Sequence, residues 1–158
     1  GSDRTALQWK NLLENPHQYD VASRRFNLLP GLIPGSIYQR TLQLRSIYRR
    51  QVLDACERYD ILVSPSQPTP PPSIEATKKP LTSKEQAMND LKAFSFSNAA
   101  PIAGIPAISV PCGFTGDGLP VGLQIMAKRF DEATVFRAAF AYEQNTSWHT
   151  MRPPVGIE

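Results

Sequence analysis

The sequence is poor in the side chains that usually hold metal ions, and it contains no long apolar run. It has two histidines and two cysteines, Cys56 and Cys112, which lie far apart and have no histidine at ligand spacing. This pattern excludes the usual zinc sites and a disulfide framework, so we expect a reducing, cytoplasmic setting and no metal. No apolar run approaches the roughly 20 residues that a membrane helix needs, which excludes integral membrane proteins.

An excess of charge of one sign is also nearly absent. Seventeen basic and fourteen acidic side chains give a net charge of +3, spread along the chain in singles and pairs. Such a mild excess does not predict a nucleic-acid partner. The chain has 41% apolar and 20% charged residues, which are values typical of a globular domain.

Proline, in contrast, is abundant. The chain has 15 prolines, nearly twice the usual share of about 5%, and five of them lie between Pro65 and Pro72. Because proline fixes φ and removes a backbone donor, we expect residues 65–80 to form an extended, irregular loop. The leading Gly1-Ser2 is interpreted as a cloning scar, so residues 3–158 are expected to form the natural segment.

Apolar spacing predicts three helices before the last third of the chain. The first covers residues 3–15 and stops before Pro16. The longest begins at Ser36, where Ser36 and Gln39 have the form of a capping box, and ends near Tyr59. A second capping box at Thr82 predicts a helix of about three turns.

Three short apolar runs predict strands. One covers residues 61–64, and residues 107–110 and 121–126 form a hairpin around a glycine-rich turn. Because these runs lack clean alternation, we expect both faces of the strands to be covered. Asp131 then begins a helix through about residue 145, with Val135, Ala138, Ala139 and Tyr142 on one face. Helices alternating with buried strands predict an α/β layered domain.

Particular strings in this region carry a family resemblance. Residues 103–114 read AGIPAISVPCGF and residues 118–124 read GLPVGLQ, which resemble the AGxPAxSVPxG and GLPxGLQ strings of amidase-signature enzymes. Residues 60–65, DILVSP, resemble the strand that enters the family's proline-rich loop. Further matches before the long helix and in the tail are Arg25, Gly31, Tyr38, Glu143, Thr146, Trp148, His149 and Pro153. The chain is similar to the C-terminal part of such an enzyme over nearly its whole length.

The resemblance implies a fold and a chemistry. It implies an α/β fold with a mixed β-sheet covered by helices, and hydrolysis of, or transfer from, carboxamides without a cofactor. In the family, the serine nucleophile, a second serine held by a cis peptide and a lysine lie in an upstream Gly/Ser-rich stretch. Nothing in residues 1–158 resembles that stretch, so we expect no catalytic residue in this chain and no activity from it alone.

The resemblance also indicates residues that contact the substrate. Ser95, Ser97 and Asn98 precede the AGxPA string on a loop expected to approach the substrate pocket, and loop capping is the alternative role. Arg25 aligns approximately with a substrate-carboxylate arginine of the related amidotransferase subunits, those of the A type, with Arg24 as the neighbouring register.

Other positions depart from those A-type subunits, which usually have an aspartate and then T, P, N and L before the AGxPA string. The aligned residues here are Phe94, Ser97, Ala99, Pro101 and Ile102. The missing aspartate favours a general amidase.

Three functional classes follow. The first is the C-terminal, substrate-side part of an amide hydrolase, which acts on a small-molecule amide when an N-terminal portion completes it. The second is a stand-alone, non-catalytic binding or interaction module. The third is part of a glutamyl-tRNA amidotransferase A-type subunit that touches tRNA. Because the missing half would leave sheet edges open, we predict self-association, with no membrane and no nucleic-acid partner.

Overall fold

The structure is a computed structural model that describes residues 2–75, 83, 88, 89, 92 and 95–152. The chain divides into two compact units, residues 1–47 and 48–158. The division falls inside the longest helix, and each unit is described by itself below.

The first unit is helical. Helix α1 covers Ser2–Glu14 and ends at the predicted place before Pro16, and helix α2 covers Val21–Leu28. Asp20 caps α2 by accepting a hydrogen bond from the backbone N–H of Ser23, at 3.0 Å. Two contacts at α1 link distant parts of the unit. The Thr5 hydroxyl donates to the Asn27 carbonyl at 2.5 Å, and the Tyr38 hydroxyl donates to Asp3 Oδ1 at 2.7 Å.

Helix α3 covers Gly35–Arg58, which confirms the longest predicted helix. The predicted capping box is wrong, because the helix begins one residue before Ser36, with the Pro34 carbonyl accepting from the N–H groups of Ile37 and Tyr38. Within the second unit, Val52 and Ala55 of the predicted stripe are half-buried, and Cys56 is buried.

The second unit contains a three-stranded antiparallel sheet. Strand β1 covers Ile61–Pro65, β2 covers Ala107–Phe114 and β3 covers Pro120–Ala127, in the order β1-β3-β2. The predicted hairpin is confirmed as β2 and β3, and Gly118 (φ 78°) lies in its turn. The α/β class is confirmed, and both pairings among the described strands are antiparallel.

One face of the sheet packs against helix α5, Glu132–Gln144, and is called the α5 face. Its core contains Val110, Ile125 and Ala139, with Ala138 and Tyr142 packed around them. Val135 is also buried, so the predicted apolar face of this helix is confirmed. The predicted cap is confirmed as well, because the Asp131 side chain accepts from the Thr134 N–H at 3.3 Å.

The other face carries the short helix α4, Ala99–Ala103, and is called the α4 face. Helix α4 ends at Gly104, whose left-handed φ of 71° suits glycine. Arg49 Nε donates to the Ala103 carbonyl at 3.0 Å, which ties α3 to the end of α4. The buried cluster on this face consists of Cys56, Ala100, Ala103, Ile105 and Met126.

The expectation that every strand is covered on both faces is wrong for β1. Its side chains alternate between exposed and half-buried, and Val63 is 58% exposed. Strand β1 lies at one edge of the sheet, and α5 packs over β2 and β3, so the outer part of β1 lacks cover within the described residues.

Two further expectations concern the middle of the chain. Residues 66–73 contain no helix or strand and are mostly exposed. The helix predicted after Thr82 lies largely outside the described residues. Where the chain is described, none of its helices combines the length and the apolar character needed to cross a membrane.

Candidate functional site

Three of the four residues predicted to contact the substrate lie on one turn. Ser95 and Asn98 are exposed and Ser97 is half-buried, directly before α4. The Ser95 N–H donates to the Lys92 carbonyl at 3.0 Å, which closes the start of the turn. Asn98 occupies the N-cap position of α4, but its side chain makes no capping hydrogen bond. Capping therefore does not occupy the Asn98 amide.

Helix α4 places this turn beside the sheet. Ala99 and Ala100, which follow Asn98 directly, pack into the cluster that contains Met126 of β3. The turn of residues 95–98 thus enters on the α4 face. Arg25, the fourth predicted residue, belongs to the first unit, where it lies exposed on α2.

A row of polar side chains crosses the α4 face, and it was not predicted from the sequence. Ser64 of β1 and Ser109 of β2 both pair with Gln124 of β3, which lies between them. Paired residues of neighbouring antiparallel strands project from the same face, with Cβ atoms about 4.5–5.5 Å apart. Ser64, Gln124 and Ser109 therefore form a continuous line, called here the serine–glutamine row.

The inner end of this row has unused hydrogen-bonding groups. Gln124 is only 6% exposed, and its Nε2 has no hydrogen-bond partner among the described residues. The hydroxyl of Ser64 is also buried and unpaired in this part of the chain. Buried polar atoms nearly always have a partner, and leaving one unpaired costs about 1–3 kcal/mol.

The outer end of the row is a pair of serine hydroxyls. Ser66 follows β1, and its Oγ lies 2.5 Å from the Oγ of Ser109. The backbone N–H of Ser66 also donates to the Gly122 carbonyl at 2.8 Å. A Cβ at Gly122 would lie 2.7 Å from the Ser66 hydroxyl and 2.8 Å from that of Ser109. Glycine is thus required there for the two hydroxyls to meet.

The row is uncharged, which limits its chemistry to hydrogen bonding. The shifted pKa values that the structure resolves belong to other residues. Burial raises the pKa of the Cys56 thiol, and a hydrogen bond to Asp3 raises that of Tyr38. Hydrogen bonding to Thr134 lowers the pKa of Asp131. In the described ranges, no three His, Cys, Asp or Glu side chains are grouped to hold a metal ion.

Two shallow cavities lie away from the row, one in each unit. One of about 330 Å³ is bordered by Trp9 and Tyr38 in the first unit. The other, of about 150 Å³, is bordered by Arg58, Lys128 and Asp131 in the second unit. The charges of this second cavity are mixed, so it selects no one sign of ligand.

The polar row left a weak signal in the sequence. Ser109 and Gln124 are polar residues inside otherwise apolar strands, and both lie in the strings that carry the family resemblance. Ser64 has the same position in β1. What no single strand reveals is the register that aligns them.

Comparison with known proteins gives one family. The family model described as Amidase matches residues 23–136. The chain is 46% identical over 117 residues to the A-type subunit of glutamyl-tRNA(Gln) amidotransferase from Geobacillus kaustophilus (strain HTA426), which covers 73% of this chain and 22% of the relative. It is also 46% identical over 120 residues to the equivalent protein from Methanosarcina mazei, covering 74% of this chain and 23% of the relative. The chain thus spans less than a quarter of the length of these curated relatives.

Solved structures agree with this family. The A-type subunit of glutamyl-tRNA(Gln) amidotransferase from Thermotoga maritima superimposes with a TM-score of 0.64 at 26% identity, covering 98% of this chain and 35% of that one. A structure of 6-aminohexanoate cyclic dimer hydrolase gives a TM-score of 0.68 at 25% identity, covering 84% of this chain and 29% of that one. Because the family model matches well over half of the residues, this chain belongs to the amidase (amidase-signature) family.

Proposed function

We propose that this chain is the C-terminal, substrate-side part of an enzyme that hydrolyses the carbon–nitrogen bond of amides. The observation that carries the proposal is the match of the amidase family model to residues 23–136. The nucleophilic serine, the second serine and the lysine are contributed by a portion outside residues 1–158. The chain alone is inactive.

The serines of the α4 face fit this division of labour. A serine hydroxyl becomes a good nucleophile only when a neighbouring base takes its proton. Ser66 and Ser109 hydrogen-bond to each other, and another hydroxyl is too weak a base for that role. These serines therefore serve binding rather than nucleophilic attack.

Within this chain, Ser95, Ser97 and Asn98 face the substrate, and Arg25 binds a carboxylate when the substrate carries one. The exposed turn before α4 and the unused Asn98 amide support the first assignment. The guanidinium fork of arginine suits a carboxylate, and the exposed position of Arg25 leaves it accessible.

A second candidate function is favoured by the curated relatives. Several are A-type subunits of glutamyl-tRNA(Gln) amidotransferase, at 41–46% identity. Under this alternative, the amide is glutamine and its nitrogen is passed on rather than released. The departures from the A-type pattern before the AGxPA string favour the hydrolase, and Phe94 at the aspartate position lies outside the described residues.

We also propose that the isolated chain self-associates in the cytoplasm. Large apolar side chains in the first unit support association, since Leu7 is 84% exposed and Leu32 is 79% exposed. Two free cysteines support a reducing compartment. Sedimentation velocity checks this, and a monomer at all concentrations with no dye-binding apolar surface contradicts it.

The function is tested by comparing this chain with the product of its complete reading frame. We expect the complete product to release ammonia from propionamide or another small amide, and this chain to release none. Alanine at Ser95, Ser97 or Asn98 should raise KM, whereas Ser147→Ala, a serine that follows α5 away from the row, should not. Activity of this chain alone, or an inert complete product, contradicts the proposal. Ammonia release from glutamine alone, coupled to transfer onto an acceptor, selects the second candidate.

A further inference from the structure

The α4 face carries a binding site that the fold alone does not explain. We propose that the serine–glutamine row, together with Ser66, binds an uncharged amide group. The inference rests on the proposed function only in naming a substrate as one source of that amide. The geometry of the row stands independently of any turnover.

The hydrogen-bonding groups of the row match an amide. The Nε2 of Gln124 offers N–H donors, and a serine hydroxyl both donates and accepts. An amide ligand presents a carbonyl acceptor and an N–H donor side by side. Its carbonyl would accept from Gln124, and its N–H would donate to the Ser64 hydroxyl, so that both unpaired buried groups gain a partner.

The absence of charge in the row argues against an anion. A carboxylate or phosphate that leaves water needs a cation to compensate the lost hydration. Ser64, Gln124, Ser109 and Ser66 supply only neutral groups. A neutral ligand that both donates and accepts avoids this cost.

The two ends of the row differ in exposure, which gives the ligand a direction of entry. Ser109 is exposed and Ser66 is half-buried, whereas Gln124 is almost fully buried. The ligand therefore meets the hydroxyl pair first and reaches Gln124 by a rotation of that side chain. The turn of residues 95–98 leads into α4 on the same face of the sheet.

The amide has two sources with the same chemistry. One is the primary amide of a small substrate. The other is a main-chain amide of a peptide segment laid over the sheet. A primary amide and a peptide-like secondary amide distinguish them.

The test is an NMR titration of the complete 158-residue chain, labelled with 15N, with propionamide. The controls are sodium propionate, which has the same shape but is charged, and N-acetylglycine N-methylamide, which carries only secondary amides. We expect saturable shifts of the Gln124 side-chain amide and of the backbone amides of the row, and no such shifts with propionate. Tighter binding of the secondary amide, by about tenfold, indicates the peptide source.

Variants locate the binding. Ser64→Ala and Gln124→Leu should each weaken the binding of the amide by about threefold to tenfold, the effect of one neutral hydrogen bond. Because Gln124 is buried, its variant risks misfolding, and Ser109→Ala at an exposed position provides a second test with the same expectation. Ser147→Ala should leave binding unchanged. The proposal is overturned if neither amide shifts the row, if propionate shifts it equally, or if all variants bind as the parent does. These outcomes do not depend on hydrolysis, so they are distinct from failure of the proposed function.

Discussion

The rings of Phe114 and Trp148 pack edge to face, with centroids 6.0 Å apart and an interplanar angle of 63°. Phe114 is the last residue of β2, and Trp148 opens the short 3-10 turn Trp148–Thr150 after α5. The pair therefore ties the tail of the chain to the end of the hairpin. Edge-to-face aromatic pairs add stability beyond the apolar area they bury, because the positive ring edge meets the negative ring face.

This pair predicts an interaction energy between two distant positions. Phe114→Leu and Trp148→Leu should each destabilise the fold, and the double variant should lose less than the sum of the two. The expected coupling is about 0.5–1.5 kcal/mol. Urea unfolding of the parent, the two single variants and the double variant measures it. Strictly additive losses would show that the two rings contribute only independent burial.

Gly122→Ala is expected to destabilise the sheet. The new Cβ would lie under 3 Å from both hydroxyls of the Ser66–Ser109 pair, so at least one must rotate away and their hydrogen bond is lost. The expected loss is about 1–3 kcal/mol in the free energy of unfolding. Gly116→Ala is the matched control, because a Cβ there meets nothing within 4 Å. Equal stability of the two variants in thermal melts would contradict the close approach at Gly122.

The elements predicted correctly depend on short-range signals. The β2–β3 hairpin follows from two apolar runs around Gly116 and Gly118, and α5 follows from the Asp131 cap and one apolar face. Turn chemistry and capping act over a few residues, so the sequence displays them directly. The capping box at Ser36 failed because Pro34, with its fixed φ, starts α3 one residue earlier.

The serine–glutamine row depends on long-range pairing instead. Ser64 meets Gln124 only through the register of β1 against β3, and a shift of one residue would turn either side chain to the other face. The exposure of β1 was missed for a related reason. Cover over Val63 depends on which element packs there, and no property of the strand itself determines that.

The two cysteine thiols are expected to react at very different rates. Cys56 is 6% exposed, and burial, followed by the charge of Glu57, raises the pKa of its thiol. Cys112 is only half-buried. Because the thiolate is the reactive form, a disulfide reagent should modify Cys112 first and Cys56 only slowly in the native protein.

Two variants assign the kinetic phases of that reaction. Cys112→Ser should leave only the slow phase, and Cys56→Ala should leave only the fast phase. Unfolding in guanidinium should make both thiols react quickly. Loss of the fast phase in Cys56→Ala would show that the buried cluster around Cys56 opens more readily than its packing against Met126 indicates.

The last prediction concerns the pH dependence of stability at the start of α5. The pKa of Asp131 is lowered, first by the hydrogen bond from the Thr134 side chain, and further by the Thr134 N–H and the positive charges of Lys128 and Arg137, while partial burial opposes the shift. The folded state thus favours the carboxylate. Its stabilisation is complete above the ordinary aspartate pKa of about 3.9 and is lost as the pH falls through the lower folded value.

Asp131→Asn should therefore melt at a lower temperature than the parent at neutral pH, and the difference should shrink below a pH of about 4. Asparagine retains an oxygen that can cap the helix, so the variant removes chiefly the ionisation. Asp117→Asn, in the exposed hairpin turn, controls for a change of net charge and should leave the melting temperature unchanged. Melting curves followed by circular dichroism on both sides of that pH measure the effect. A gap of the same size at both pH values would mean that Asp131 stabilises α5 through its shape as a cap and not through its charge.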